Sequence, residues 1–442
     1  MDTIFAPITA ISNSAIGVIR ISGSQSLQAL KYLGVKKELE DRKAILSQIF
    51  DPNSKEIIDQ VLLTYFKAPN SFTGQDIIEI SIHSSIYILQ QLLDILNQIE
   101  GLRPAEAGEF SKIAVLNGKM DLIQAEAIAD LINSETKEQH RQATRQMNGD
   151  LSRIYEKWRL DLISIMANLE AFIDFPDEDL PVDLVDDLEN KVNILKLEII
   201  SHLDDNQAGQ KIRNGLSLAI IGGVNAGKSS LINYLAKSDV AIVTDIAGTT
   251  RDVVEIHLEI AGLKVIIADT AGIRQTNDLV EKEGVKRSLK KANEADLKIL
   301  VIDGSKLDEF DQDKLKLIDE DSLVIINKID LKNPKIPQYL TKFKPILVSI
   351  KQKINLETLI NQLENKVQKI SQPALNPLIT RVRYRNALNA AADYLENFSL
   401  KKEVELASED LRIAIREIGK ITGRVEVDDI LDSIFSNFCI GK

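Results

Sequence analysis

The stretch LSLAIIGGVNAGKSS at residues 216–230 decides the fold. Its first six residues are mainly apolar and favour a short buried strand. Residues 222–229 then match the phosphate-loop pattern G-x-x-x-x-G-K-S, in which backbone N–H groups point inward at a chain of phosphates. In that pattern the Lys228 ammonium reaches the β- and γ-phosphates, and the Ser229 hydroxyl binds Mg²⁺. A helix predicted over residues 230–236 directs its positive end at the same anion. The alternative is a glycine-rich turn without a ligand, which the flanking strand and helix disfavour.

Three further motifs follow in the order that a guanine-nucleotide-binding domain requires. Thr249 or Thr250, in the stretch TDIAGTTRD, can supply a second hydroxyl to Mg²⁺. The motif DTAG at 269–272 follows an apolar strand and places a carboxylate beside the metal. The motif NKID at 327–330 follows another strand, and Asp330 can accept hydrogen bonds from guanine N1–H and the 2-amino group, which adenine cannot offer. Together the four motifs resemble the translation-factor-like branch of GTPases and predict GTP binding.

Residues of all four motifs are therefore assigned to nucleotide binding. Ser349 is assigned to the last base-contacting loop, although the alanine that usually follows this serine is replaced by Ile350. The phosphate-loop assignments are Asn225, Ala226, Gly227, Lys228, Ser229 and Ser230. The remaining assignments are Thr244, Asp245, Ile246, Ala247, Gly248, Thr249, Asp269, Thr270, Ala271, Gly272, Asn327, Lys328 and Asp330.

The residue that follows DTAG usually orients the water that attacks the γ-phosphate. Many GTPases carry a glutamine there to orient this water, but the chain has Ile273, which cannot do so. Three acidic residues of the nearby stretch NDLVEKEG, Asp278, Glu281 and Glu283, could take that role. From spacing alone, a solvated acidic start of a helix is the better interpretation of these residues.

Length, net charge and cysteine content exclude several classes of protein. The chain has 442 residues, enough for two to four domains, and a net charge of −12, which argues against a broad basic face that grips nucleic acid. Its single cysteine, Cys439, allows no intramolecular disulfide. The start of the chain shows no signal-peptide pattern, and no apolar run reaches membrane-spanning length. The four scattered histidines lack metal-ligand spacing. We therefore expect a cytoplasmic protein with no membrane contact.

The chain is expected to be multidomain, with α/β and α parts. Residues 1–118 mix strand and helix patterns and predict an α+β domain. Residues 119–211 are proline-poor at first and show helical periodicity, which predicts long helices of a bundle. Residues 212–372 alternate strand and helix, as in a mainly parallel sheet covered on both faces, and residues 373–442 return to helix. The economical interpretation is one discontinuous helical domain with the GTPase domain inserted into it.

The last residues, CIGK at 439–442, follow an apolar helix. The simplest interpretation is a frayed tail whose cysteine packs as a small hydrophobic residue. A tail docked into a site is the alternative.

The motifs together resemble one family along nearly the whole chain. The series IGVIRISG, SFTGQD, GEFSKIAVLNGKMDLIQAEAIADLI, FPDED, NAGKSS, TDIAGTTRD, DTAGIR, NKID and FCIGK is similar to the MnmE (TrmE) family of tRNA uridine-modification GTPases. The sequence departs from the family pattern at residues 10–14, which lack the usual glycines and proline, and at Ser84 and Ser85, where two glycines are usual. Both changes are expected near the folate pocket or the dimer contacts of that family.

This resemblance implies roles for particular residues. The N-terminal domain would dimerise and bind a tetrahydrofolate derivative, 5,10-methylene- or 5-formyl-tetrahydrofolate. The resemblance gives Glu281 the water-positioning role, against the interpretation from spacing, and marks Cys439 as catalytic with its chemical role open. Thr250 and Ser229 match Mg²⁺ ligands. The matching folate contacts are Arg20, Glu79, Lys119 and Lys442, and the matching K⁺ ligands are Asn225, Thr244, Ile246 and Thr249.

The resemblance also implies partners. A homodimer would pair with an FAD-dependent MnmG-type protein as a heterotetramer and modify C5 of the wobble uridine of tRNA. GTP hydrolysis would open and close the pair of GTPase domains. The rival hypothesis is a ribosome-assembly or signalling GTPase without modification chemistry, which the inserted domain alone would fit equally well.

Overall fold

The computed structural model describes residues 2–174, 182–237, 256–267, 294–332, 334–370, 377–401, 404–425, 431, 434–436, 438, 439 and 441, without the side chains of 172–174, 182–184 and 370. It forms two compact units. The first comprises Met1–Ala129, Gln146–Asn193 and Asp393–Lys442, and the second comprises Asp130–Arg145 and Ile194–Ala392. No helix in the described ranges is long and apolar enough to cross a membrane.

The first unit opens with a six-stranded sheet in the order β3-β4-β5-β2-β1-β6. All neighbouring strands are antiparallel except β1 and β6. The strands are β1 Thr3–Pro7, β2 Ser14–Ser22, β3 Ala44–Phe50, β4 Ile57–Phe66, β5 Ile77–Ser84 and β6 Leu102–Pro104, and the helices are α1 Ser26–Tyr32, α2 Ile86–Asn97 and α3 Glu109–Leu116.

Alternating burial along β4 shows why this sheet has two different faces. Val61, Leu63 and Tyr65 are buried and belong to the core that also contains side chains of α1 and α2. The intervening residues point to the other face, because successive side chains of a strand alternate. Leu62, one of them, is 44% exposed. The predicted α+β character of this region is confirmed.

Helices follow this sheet and return near the end of the chain. The structure divides the predicted long helical run into three, because the backbone breaks at residues 133–136 and at Gly149, which has φ +82°. In the first unit α6 packs along the helix Val404–Thr422, where the Ser408 hydroxyl lies 3.4 Å from the Met166 sulfur. The helices are α4 Leu122–Ile132, α5 Lys137–Met147, α6 Asp150–Asp174, α7 Val182–Leu203, α8 Ala208–Asn214, α12 Val382–Asn397 and α13 Val404–Thr422.

The second unit contains a second six-stranded sheet, in the order β12-β11-β10-β7-β9-β8. Every pairing is parallel except β8 with β9. The strands are β7 Leu216–Gly222, β8 Ile256–Ile260, β9 Leu263–Ile267, β10 Leu297–Asp303, β11 Leu323–Asn327 and β12 Ile346–Leu347, and the helices are α9 Lys228–Lys237, α10 Gln338–Thr341 and α11 Leu356–Ile370. Two 3₁₀ segments, Gly304–Glu309 and Gln312–Leu317, and the helix α8 also belong to this unit.

The position of β7 in this sheet fixes where a ligand can bind. Its neighbours β9 and β10 lie on opposite sides, so the connections that leave the carboxyl ends diverge there. Open α/β sheets bind ligands in the crevice outside the carboxyl ends of the strands at such a switch point. The phosphate loop begins where β7 ends, as its sequence predicts. The predicted mainly parallel sheet and the predicted strands at 216–221 and 323–326 are confirmed.

Candidate functional site

The phosphate loop is built at the carboxyl end of β7. The backbone is left-handed at Asn225 (φ +59°) and at Gly227 (φ +110°), which turns the chain back toward α9. The Lys228 ammonium donates to the carbonyl oxygens of Gly222 at 2.9 Å and Gly223 at 2.8 Å, and it therefore lies over the loop. The predicted helix is confirmed and begins two residues earlier than expected, at Lys228.

Asn327 joins the phosphate loop to the NKID motif. Its side-chain N–H donates to the Ala226 carbonyl at 2.9 Å, and its side-chain oxygen accepts from the Ile350 N–H at 3.1 Å. The approach is so close that a Cβ at Gly227 would lie 2.2 Å from the Asn327 amide nitrogen. Asn327 is buried, so both bonds are shielded from water. Sequence reasoning assigned Asn327 to the nucleotide, and its role as a tie between loops was missed.

The residues assigned to the guanine base also lie together. The Ser349 hydroxyl donates to the Asp330 carboxylate at 2.6 Å and accepts from the Gln352 N–H at 3.1 Å. Ser349 is fully buried, and this contact fixes one oxygen of the carboxylate. The assignment of Ser349 to the last base-contacting loop stays a prediction.

Lys328 is held by Asp303, a residue that sequence reasoning missed. The ammonium lies 2.6 Å from the Asp303 carboxylate at the end of β10. Burial raises the pKa of Asp303, but hydrogen bonds from Lys328 and Ser305 outweigh it, and the pKa lies below its ordinary value. An acidic residue that ends an apolar strand was the signal that could have found it.

Several predicted nucleotide-site residues lie outside the described residues. They are Thr244, Asp245, Ile246, Ala247, Gly248, Thr249 and Thr250 of the second motif, and Asp269, Thr270, Ala271, Gly272 and Glu281 of the third motif and the stretch after it. Elsewhere in the described chain, no group of three or more His, Cys, Asp or Glu residues is placed to hold a metal ion.

A second site lies in the first unit, as a cavity of about 460 Å³ beside β2 and β5. This volume is within the usual range for small-molecule sites. Arg20, Glu79 and Lys119, three residues that the family resemblance singled out, line it together. The other lining residues are Arg42, Phe66, Asn70, Ser71, Phe72 and Ile77. Sequence reasoning assigned none of these six to a site. Ser71 and Phe72 belong to the stretch SFTGQD, and the other four lie on loops and strand ends with no motif of their own.

Two of the lining residues, Arg20 and Glu79, form an ion pair. Arg20 and Glu79 are directly paired across β2 and β5, and the guanidinium donates to one carboxylate oxygen through Nε at 3.1 Å and Nη2 at 2.8 Å. The Arg20 guanidinium also lies 5.1 Å from the ring centre of Phe72 and 5.5 Å from that of Phe110. These contacts hold Arg20 in one place.

The Lys119 side chain passes close to Gly74 where it lines the cavity. Gly74 has φ +80°, and a Cβ there would lie 3.1 Å from Lys119 Cε. The Asn117 amide donates to the Thr73 carbonyl at 2.7 Å and joins the same two loops.

The departures from the family pattern lie at the other end of this strand pair. Ser14 is paired with Ser84, whose hydroxyl donates to the Ser12 carbonyl at 2.8 Å. These residues are not among those that line the cavity. The expectation that these residues lie near the folate pocket or the dimer contacts stays a prediction.

The described tail residues lie against the N-terminal sheet and α3. The Gly108 N–H donates to the Cys439 carbonyl at 3.3 Å, and a Cβ at Gly441, which is buried, would lie 2.2 Å from the Pro7 carbonyl oxygen. The Cys439 residue is exposed. The interpretation as a frayed tail with a packed cysteine is therefore wrong for these residues, and Lys442 lies outside the described ones.

The sheet order, the phosphate loop and the NKID contacts define a P-loop GTPase domain, here in one chain with a separate α+β unit. A family model described as the GTP-binding protein TrmE N-terminus matches residues 3–119, and one described as the MnmE helical domain matches residues 122–439. The chain belongs to the MnmE family of tRNA modification GTPases. As a member it binds GTP and is an enzyme that hydrolyses it.

The chain is similar to curated relatives over its whole length and to solved structures over part of it. The tRNA modification GTPase MnmE of Rickettsia rickettsii (strain Sheila Smith) is 47% identical over 445 residues, and that of Rickettsia prowazekii (strain Madrid E) is 46% identical, each covering 100% of both chains. A GTP-binding protein of Sulfolobus solfataricus in complex with GDP is 18% identical, with a TM-score of 0.27, over 63% of this chain and 85% of that one. The G domain of the T. maritima FeoB iron transporter is 22% identical, with a TM-score of 0.25, over 35% of this chain and 99% of that one.

Proposed function

We propose that the chain is the K⁺-dependent GTPase component of an enzyme that modifies C5 of the wobble uridine of tRNA in the cytoplasm. It uses a one-carbon unit of methylene-tetrahydrofolate and acts with an FAD-dependent MnmG-type partner, as a homodimer within a heterotetramer, to make aminomethyl- or carboxymethylaminomethyluridine. The observation that carries this proposal is the joint presence of Arg20, Glu79 and Lys119 in one cavity of a chain that also has a phosphate loop.

The cavity suits a reduced folate on chemical grounds. A pterin ring presents flat faces and an edge of N–H donors and acceptors. Phe66 and Phe72 supply aromatic surface in the cavity, and the Glu79 carboxylate supplies acceptors. Lys442 contributes from the tail, since its neighbour Gly441 is seated at Pro7. Cys439, exposed nearby in the chain, takes part in the modification.

The phosphate loop suits a nucleotide with its metal ions. Ser229 and Thr250 would hold Mg²⁺, and Asn225, exposed in the loop, would hold K⁺ with the segment that contains Thr244, Ile246 and Thr249. Bound there, the cations supply positive charge close to the negative charge that develops on the transferred phosphoryl group. Glu281 positions the attacking water, a role for which Ile273 is unsuited.

The N-terminal sheet supports a homodimer. Leu46 and Leu62 are directly opposed on β3 and β4, and they are 51% and 44% exposed. Leu62 shares a sheet face with Thr64, the partner of Glu79, because residues two apart point the same way. An exposed apolar surface of this kind is typical of protein–protein contact.

The domains proposed for the chain remain 1–118, 119–211, 212–372 and 373–442.

Binding of 5-formyl-tetrahydrofolate to the full chain tests this function. The unaltered protein is expected to bind it, and Glu79→Gln is expected to bind it at least tenfold more weakly, because an acceptor for the pterin edge and the partner of Arg20 are lost together. Binding of GTP should be unchanged in the variant and serves as the control. A chain that binds GTP but no reduced folate would favour the rival, a ribosome-assembly or signalling GTPase.

A further inference from the structure

We propose that Arg42 recognises the anionic tail of the folate, the glutamate whose two carboxylates project from the end opposite the pterin. This inference rests on the proposed folate site and names the residue that reads one end of its ligand. Arg42 belongs to no motif of the chain, and it lines the same cavity as Arg20 and Glu79.

The charges that line the cavity favour a dianion. Three cationic residues, Arg20, Arg42 and Lys119, face one carboxylate, that of Glu79, so the lining carries a net charge of +2. The charge of Arg20 is already matched, because its guanidinium lies 2.8 Å from the Glu79 carboxylate. Arg42 Nε also lies 3.8 Å from the carboxylate of Asp41, which is exposed and does not line the cavity. Within the lining, Arg42 and Lys119 supply the two positive charges that Glu79 does not match, and these equal in magnitude the charge of the two carboxylates of one glutamate.

The exposed fractions of the lining side chains indicate which end of the cavity is open to solvent. The Arg20 and Glu79 side chains are 16% and 23% exposed, whereas that of Arg42 is 58% exposed. Arg42 therefore lies at the open end and the ion pair lies at the closed end. An elongated ligand with a flat, uncharged ring at one end and two carboxylates at the other binds most favourably with its charged end in the open part, where desolvation costs least.

Arg42 is held in place by contacts within the chain. Its guanidinium lies 5.6 Å from the ring centre of Phe66 and donates through Nη2 to the Asn70 carbonyl, and its backbone N–H donates to the Tyr65 carbonyl at 2.7 Å. A side chain fixed in this way loses little conformational entropy on binding. The planar guanidinium has further N–H donors for a carboxylate, which it can bind through two parallel hydrogen bonds.

The experiment compares two ligands that differ only in the tail. Binding to the full chain is measured by calorimetry for 5-formyl-tetrahydrofolate and for 5-formyl-tetrahydropteroate, which lacks the glutamate. The unaltered protein is expected to prefer the glutamate form by about fivefold or more, the upper range for an exposed ion pair. Arg42→Gln is expected to bring this preference close to one and to leave binding of the pteroate form unchanged.

Lys43→Gln is the matched control. It removes the same charge from the next residue, whose ammonium pairs with Glu40 on the surface and does not line the cavity. Its preference for the glutamate form should equal that of the unaltered chain. Equal weakening of both ligands by Arg42→Gln, or an unchanged preference, would overturn the proposal. Failure of the unaltered chain to bind either ligand would refute the folate site, and the tail contact with it.

Discussion

The side-chain amide of Asn327 donates a hydrogen bond to the carbonyl oxygen of Ala226, at 2.9 Å, between two loops 101 residues apart in the chain. One loop is expected to hold the phosphates of the nucleotide and the other its base. Because the same side chain also accepts from the Ile350 N–H, a single buried residue fixes three loops at the carboxyl edge of the sheet.

Asn327→Ala should weaken the binding of GTP and GDP alike. The substitution leaves the Ala226 carbonyl and the Ile350 N–H without this partner, at a cost of about 1–3 kcal/mol for each buried group. Fluorescent-nucleotide titration and urea unfolding measure the two effects. Asn397→Ala, which removes an exposed amide contact to the Asp393 carbonyl, should change stability by less than about 0.5 kcal/mol. Unaltered nucleotide affinity in Asn327→Ala would show that the tie is dispensable.

Asp330→Asn should weaken GTP binding and improve the binding of xanthosine triphosphate. The carboxylate accepts hydrogen bonds from guanine N–H groups, whereas an asparagine amide also donates, as the 2-carbonyl of xanthine requires. Competition between the two nucleotides measures the change in preference, which should exceed about tenfold. Asp308→Asn, at an exposed acid of the same unit, is the control and should leave the preference as it was. The guanine assignment is wrong if both variants behave alike.

Asn225→Ala should abolish the stimulation of GTP hydrolysis by K⁺ and leave nucleotide binding intact. The reason is that alanine has no side-chain oxygen for the cation. Hydrolysis rates in K⁺ and in Na⁺, at equal ionic strength, provide the measurement. If K⁺ and Na⁺ stimulate GTP hydrolysis by the unaltered chain equally, the chain has no K⁺-specific site and the proposed role of Asn225 is wrong.

Gly74→Ala should weaken folate binding because the new methyl group would be crowded against Lys119 Cε and would shift it. Both Gly74 and Gly118 have a left-handed backbone, with φ +80° and +65°. A Cβ at Gly74 would lie 3.1 Å from Lys119 Cε, whereas a Cβ at Gly118 would have no neighbour within 4 Å. Gly118→Ala therefore carries the same backbone cost, about 1 kcal/mol, without the displacement. The affinity for 5-formyl-tetrahydrofolate should fall about threefold or more in Gly74→Ala relative to Gly118→Ala. Equal affinities in the two variants would contradict this account of Lys119.

Local sequence determined what could be predicted of the fold. The strand before the phosphate loop and the helix after it were predictable, because each has its own periodicity and the loop between them has a fixed pattern. The break of the helical run at Gly149 was not, because the apolar spacing continues on both sides. Contacts between residues far apart in the chain could not be predicted from the sequence either. No pattern links Asn327 to Ala226, Asp303 to Lys328, or Gly441 to Pro7, and Arg42 enters the cavity from a loop without a motif.

We propose that the phosphate loop and the cationic cavity of this chain serve one reaction on tRNA. The test is mass spectrometry of wobble uridines from cells that lack this gene and carry a plasmid copy of it. The unaltered copy should restore the C5 substituent, and Lys228→Ala and Glu79→Gln, which alter one site each, should both leave the uridine unsubstituted. Full modification with either variant, or normal uridines in cells without any copy, would contradict the claim.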